Sequence, residues 1–152
     1  MSDIMSNIMP DIMLVGDLLL AFILGGAIGW FREKEGKTAG MRTHLLVCLG
    51  SALFMTTSIQ MIALQPGADP ARLAAGVVTG IGFIGAGCIV QIGSGVRGIT
   101  TAASIFVTSA IGLAAGAGFY VTAVTTAVLV VAALQLLREV EMHIIKTKHR
   151  EE

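Results

Sequence analysis

The chain has 152 residues, and its ten basic and ten acidic side chains give a formal net charge of zero. Hydrophobic residues make up 55% and charged residues only 13%, with a mean hydropathy of +0.84, whereas an ordinary globular domain is about 25% charged. That balance excludes a typical soluble domain, because a chain this short has no interior large enough to hide several long apolar runs.

In chain order, Ile4-Met5, Ile8-Met9 and Ile12-Met13 recur every four residues and predict a helical stripe that extends the first span at the interface. The first span is read over 12–31, with Asp17 inside it. A second follows over 44–64, between His44 and the turn QPGADP at 65–70. A third, over 73–92, occupies the charge-free run between Arg72 and Arg97. Residues 98–137 then form forty consecutive positions without Asp, Glu, Lys, Arg or His. As a helix they would reach roughly 60 Å, about twice the hydrocarbon thickness of a bilayer. They divide near the GAGFY string at 116–120 into spans over 98–116 and 119–137.

The expected fold class is therefore all-α, a polytopic membrane domain of five transmembrane helices over residues 1–137. Leu136, Leu137, Val140, Ile144 and Ile145 carry a helical stripe into an amphipathic tail at 138–152. Lys and Arg are retained on the cytoplasmic side during insertion. With the amino terminus outside, Arg32, Lys34, Lys37, Arg42, Arg97, Arg138, Lys146, Lys148 and Arg150 fall inside and only Arg72 outside. The carboxyl terminus is thus expected in the cytoplasm. The first ten residues lack the basic stretch of a secretory signal.

Lipid supplies no hydrophobic drive for helix association, so close crossings need small side chains. Gly25 with Gly29, Gly76 with Gly80, and Gly112 with Gly116 have the required four-residue spacing, and Gly82, Gly85 and Gly87 extend the third set. The expectation is tight packing and a homodimer through the small-residue faces. The alternative is a helix that unwinds near Gly82 so that its carbonyls line a cavity.

Thr101, Ser104 and Thr108 stand at i, i+3 and i+7 on the fourth span, and Gly112 and Gly116 continue the same face. This stripe faces protein. It either hydrogen-bonds within the bundle or, with Thr100 beside it, lines a hydrated path. Asp17 is costly at membrane depth and needs water, a partner such as Arg72, or a bound cation or proton. On the inner side Arg32, Glu33, Arg42, His44 and Arg97 are expected to pair with one another, Arg97 either anchoring to lipid phosphate or holding Glu33 in a buried pair. Cys48 and Cys88 read as packed free thiols rather than, with His44, a soft-metal site. No phosphate loop, nucleophile elbow or zinc-protease motif occurs, so neither an enzyme nor a resident cofactor is expected, and nucleic acid is not an expected partner.

The strings LGGAIGWFRE at 24–33 and AGMRTH at 39–44 resemble the first signature of the MgtC/SapB membrane proteins. The second signature is matched by DPARLAA at 69–75, GIGFIGAG at 80–87, VRGITTAA at 96–103 and AIGLAAGAG at 110–118. The resemblance implies a five-span bacterial inner-membrane protein linked to low magnesium, acid resistance or survival inside host cells. In such proteins it implies either regulation of a membrane complex such as the F-type ATP synthase or magnesium transport. Longer members continue into a soluble ACT-like domain, so this chain resembles a short form, and Thr100 stands where some members have Asn. Two readings follow. One is a non-enzymatic regulator. The other is an ion transporter using Asp17, Thr100, Thr101, Ser104 and Thr108. The first is favoured because a magnesium path needs several oxygen ligands, and Asp17 is the one carboxylate within a span.

Overall fold

The computed structural model describes residues 2–65 and 67–148, with side chains described over 12–62, 64–65 and 67–136. The elements are α1 (Ser2–Lys34), α2 (Met41–Leu64), α3 (Pro70–Gly87), β1 (Val90–Ile92), β2 (Gly95–Arg97), α4 (Ile99–Gly116) and α5 (Tyr120–Lys148). Within them Ile12–Lys34, Met41–Ile62, Pro70–Gly87 and Ile99–Gly116 are each long and apolar enough to cross a bilayer, whereas the described apolar part of α5, Tyr120–Leu136, is shorter. Helices satisfy their own backbone groups, as hydrocarbon demands, so this is an all-α polytopic membrane fold. The Ile/Met stripe and the amphipathic tail lie outside the described side chains, except for Ile12, Met13 and Leu136, which are exposed.

Local chemistry sets the helix ends. Asp69 accepts a hydrogen bond from the Ala71 backbone N–H at 2.9 Å, and Pro70 opens α3 where no N–H is needed. The Glu33 carboxylate accepts from the Met41 N–H at 2.9 Å and so ties the end of α1 to the start of α2.

One expected boundary is corrected. The third span, expected over 73–92, stops as a helix at Gly87, and the chain then turns into an antiparallel hairpin pairing Val90 with Arg97 and Ile92 with Gly95. The β-branched Ile89, Val90 and Ile92 followed by Gly93-Ser94 are a hairpin signal that the absence of charge overshadowed. Gly93, at φ +60°, supplies the positive φ that a two-residue turn requires at its first central position.

The centre of the bundle is α2, held between α1 and α4. A Cβ on Gly25 would lie 2.6 Å from Cys48 Cβ and 2.7 Å from the His44 carbonyl oxygen, and one on Gly29 would lie 2.5 Å from Met41 Cα. Further along α2, a Cβ on Gly112 would collide with the Cys48 carbonyl, and one on Gly116 with the Ala52 carbonyl. Ala21, Ile28, Cys48, Ala52, Ile111, Ala115, Ala123 and Ala127 form the core around these crossings.

The third helix is an edge element. It seats through Ile81 against Ile105 and Ala39, and a Cβ on Gly85 would make ordinary contact with Ala102 at 3.6 Å. Gly76, Gly80, Gly82 and Gly87 instead face open space, so the expected packing does not extend to them within one chain. The cause is periodicity: Ile81 and Gly85 are four residues apart on the seated face, and the other glycines point elsewhere. Gly82 lies within a continuous helix, which removes the expectation of unwinding there.

These environments separate the glycines experimentally. Gly112→Val is expected to destabilise the fold by about 1–3 kcal/mol through overpacking, whereas Gly82→Ala, in open space within a helix, should stabilise it by about 0.5–1 kcal/mol. Reversible unfolding in mixed micelles measures both.

Candidate functional site

The polar side chains of α4 meet those of α1 and α2 in a buried seam. Arg32, 2% exposed near the end of α1, donates from Nη2 to Thr101 Oγ1 at 2.6 Å, and its Nη1 lies 3.9 Å from the Glu35 carboxylate. One turn further along α4, Ser104 Oγ is 3.1 Å from His44 Nε2 and donates to the Thr101 carbonyl at 2.8 Å. Thr108 donates to the Ser104 carbonyl at 2.7 Å. Ser51 and Ser109 then share a hydroxyl–hydroxyl bond of 2.8 Å between α2 and α4.

His44 links two elements. Its Nδ1 lies 2.9 Å from the Gly40 carbonyl, which can only accept, so the hydrogen bond places a proton on Nδ1. A neutral ring then accepts at Nε2, and the Ser104 hydroxyl must choose between His44 and the Thr101 carbonyl. With the hydroxyl hydrogen on Thr101, the Nε2 contact requires the doubly protonated ring. Hydrogen bonding in this segment therefore turns on the position of one proton.

A second polar contact lies toward the other end of the bundle. Tyr120 donates its phenolic hydrogen to Asp17 at 2.6 Å. Asp17 is buried although Tyr120 is exposed, and the pair borders a cavity of about 310 Å3 with Thr56 and Gln60. The fifth helix is thereby tied to the first by a charge-assisted bond.

Thr101, Ser104 and Thr108 thus lie together in the seam, with Arg32 and His44 as their partners. Thr100 does not: it is exposed, on the wall of a polar cavity that Arg32 and Thr101 of the seam also line. The expected mutual pairing of the inner-face charges is corrected too. Arg32 pairs with Glu35 rather than Glu33, whose carboxylate is held by the Met41 N–H, while Arg42 and Arg97 are exposed. Asp17 takes Tyr120 rather than Arg72. Glu35 follows α1 in the turn three residues after Arg32 and meets it there, whereas Glu33 reaches the first turn of α2.

Ser51, Ser109, Glu35 and Tyr120 escaped the sequence reading. Ser51 is seven residues after His44, and Ser109 eight after Thr101, so helical periodicity held the signal for both. Among the described residues, no group of three or more His, Cys, Asp or Glu side chains is placed to hold a metal ion. Cys48 is buried at the α1–α2 crossing, and Cys88 donates to the Ile84 carbonyl at 3.4 Å.

The seam makes a measurable prediction. In a double-mutant cycle, Ser51→Ala and Ser109→Ala should show a coupling energy of about 0.5–1.5 kcal/mol, the range for hydroxyl pairs between membrane helices. His44→Ala should cost about 1–3 kcal/mol by removing the buried ring that joins the Gly40 carbonyl to Ser104 and leaving a void in its place.

Comparison with known proteins matches the MgtC family profile to residues 18–143. The chain is 42% identical over 137 residues to the Escherichia coli K12 protein named "Putative magnesium transporter YhiD", covering 87% of this chain and 64% of that protein. It is 43% identical over 119 residues to Protein MgtC of Brucella abortus strain 2308, covering 78% of this chain and 48% of the relative. With Protein MgtC of Salmonella typhimurium strain 14028s it shares 39% over 128 residues, covering 84% of this chain and 54% of the relative. The chain thus spans about half to two thirds of the length of these relatives. No solved structure matches it significantly. A matching family profile over most of the chain and, among the described residues, four helices able to span a bilayer identify this chain as a multi-pass inner-membrane protein of the MgtC family.

Proposed function

We propose that this chain is a non-enzymatic regulatory protein of the inner membrane, which acts on another membrane complex rather than conducting an ion. The seam carries this reading. The inward hydroxyls of α4, those of Thr101, Ser104, Thr108 and Ser109, are all taken up by hydrogen bonds inside the chain. A magnesium path needs about six oxygen ligands or retained waters. Hydroxyls that bond one another and backbone carbonyls serve instead to fix helix positions.

The contact surface proposed for the partner is the open side of α3. Gly76 and Gly80 line an apolar groove of about 550 Å3 with Leu46, Val47 and Phe54 of α2. Small residues four apart admit the close approach of another transmembrane helix, and the occupant proposed here is a helix of the regulated complex. In this reading the basic end of the bundle faces the cytoplasm, and the complex is of the F-type ATP synthase kind, in adaptation to low magnesium or acid.

Magnesium transport is the second reading. It is favoured by the buried Asp17 carboxylate beside its cavity and by the name of the Escherichia coli relative.

Flux measurements separate the two. Purified protein in liposomes loaded with a magnesium-sensitive dye should pass no more magnesium than protein-free liposomes. Flux that disappears in Asp17→Asn would instead establish transport. For the regulatory arm, wild-type protein added to inverted membrane vesicles should lower ATP-driven proton pumping. The doubly substituted Gly76→Leu, Gly80→Leu chain should not. Equal inhibition by both would exclude the α3 face as the contact.

A further inference from the structure

At the end of the bundle where α1 stops and α4 starts, a cavity of about 950 Å3 opens between the α1–α2 connection, the hairpin and α5. Among the described residues its wall carries three cations, Arg32, Lys37 and Arg97, against one carboxylate, Glu35, together with Thr38, Thr100 and Thr101. Such a surplus of positive charge around a concave polar space favours an anion.

Two independent features sharpen that preference. The α4 amino terminus opens onto the cavity through Gly98, Ile99 and Thr100, and no side chain caps it. The reason is covalent. Gly98 occupies the N-cap at φ +93°, and a Cβ there would collide with the Cys88 carbonyl. The position that usually offers Ser, Asp or Asn to the first free N–H groups therefore has no side chain. An 18-residue helix leaves its positive end facing the cavity, the arrangement that binds phosphate elsewhere.

The second feature is Arg32. Its side chain lines the cavity while only 2% exposed, and its Nε is buried with no hydrogen-bond partner. Nη2 is engaged by Thr101 and Nη1 lies near Glu35, so of the three guanidinium nitrogens Nε is the buried one without a partner. Leaving a charged donor unmatched in a buried place is costly, and a tetrahedral oxyanion in the cavity supplies countercharge to the guanidinium that lines it and acceptors for the α4 N–H groups.

We propose that this cavity is a binding site for a phosphate group, with Arg32, Arg97, Lys37 and the α4 amino terminus as its ligands. The proposal does not depend on whether the chain regulates or transports. Two sources carry the same chemistry, a phosphomonoester or inorganic phosphate from solution and the headgroup of an anionic lipid.

The test uses the full chain in uncharged detergent and in phosphatidylcholine nanodiscs, with thermal unfolding as the readout. One arm titrates inorganic phosphate against sodium chloride at equal ionic strength. The other substitutes phosphatidic acid for part of the phosphatidylcholine. Stabilisation by phosphate beyond the chloride control identifies a soluble source, and stabilisation by phosphatidic acid alone identifies a lipid headgroup.

Arg97→Gln and Lys37→Gln alter exposed residues, so both should fold. Each should raise the concentration for half-maximal stabilisation about tenfold, as expected for one lost charge-assisted contact. Arg42→Gln removes an exposed basic residue outside the cavity and should leave the response unchanged. Arg32→Lys keeps the charge but removes the planar fork, and where its helix content is native it should also lose the response. No stabilisation by either probe would overturn the proposal. So would a response reproduced by chloride, or one that Arg97→Gln, Lys37→Gln and Arg42→Gln leave equally intact.

Discussion

The close approach of α2 to both of its neighbours is the constraint from which the rest of the structure follows. In lipid, helices gain nothing by hiding apolar surface from one another, since the surrounding chains are equally apolar. What remains is dispersion and hydrogen bonding, both of short range. Gly25 and Gly29 of α1 and Gly112 and Gly116 of α4 remove the side chains that would hold the backbones apart. With those contacts made, the hydroxyls of Ser51 and Ser109 come within 2.8 Å, and His44 reaches from the Gly40 carbonyl to Ser104.

The same geometry explains why the polar groups occupy one face of α4. A hydroxyl exposed to hydrocarbon would lack a partner, whereas one at a tight crossing finds an acceptor on its own helix or on the neighbour. The seam is thus a register device: sliding α4 by one turn against α2 would separate both inter-helix pairs. The Arg32–Thr101 bond extends the lock to α1. Asp17 and Tyr120 perform the corresponding service for α5, which also packs against the core through Ala123, Ala127, Val130, Val131 and Leu134.

The two ends of the bundle and the edge helix are left with different surfaces. Around Asp17 the one charge is matched by a phenol. At the opposite end, Arg32, Lys37 and Arg97 surround an open cavity with an uncapped helix terminus. Along α3, Gly76 and Gly80 keep the spacing of a crossing that no helix of the same chain completes. Register, charge and open surface are therefore assigned to separate parts of a small molecule.

Much of this was legible in the residues. The charge-free runs determined that the chain is a polytopic helical membrane protein, because hydrocarbon tolerates few ionised groups in a span, and the strings around Gly25, Arg42, Gly82 and Arg97 carried the family. Helical spacing alone put Thr101, Ser104 and Thr108 on one face. What spacing cannot do is name the opposite partner. Gly76 and Gly80 have the same pattern as Gly25 and Gly29, yet only the latter pair meets a neighbour, because the fold places α2 at the centre and α3 at the edge. Glu33 and Glu35 are two residues apart and chemically equivalent, and only the rotation of α1 against α2 decides that one caps a helix while the other faces Arg32. The hairpin at 90–97 was obscured because the apolar character of a short strand and of a helix end are alike. The sequence by itself determined the solvent, the class of fold and the faces of its helices, since these depend on local composition and period. Only the tertiary structure decided which faces meet, since that depends on contacts between residues about 60–70 positions apart such as His44 with Ser104 and Arg32 with Thr101.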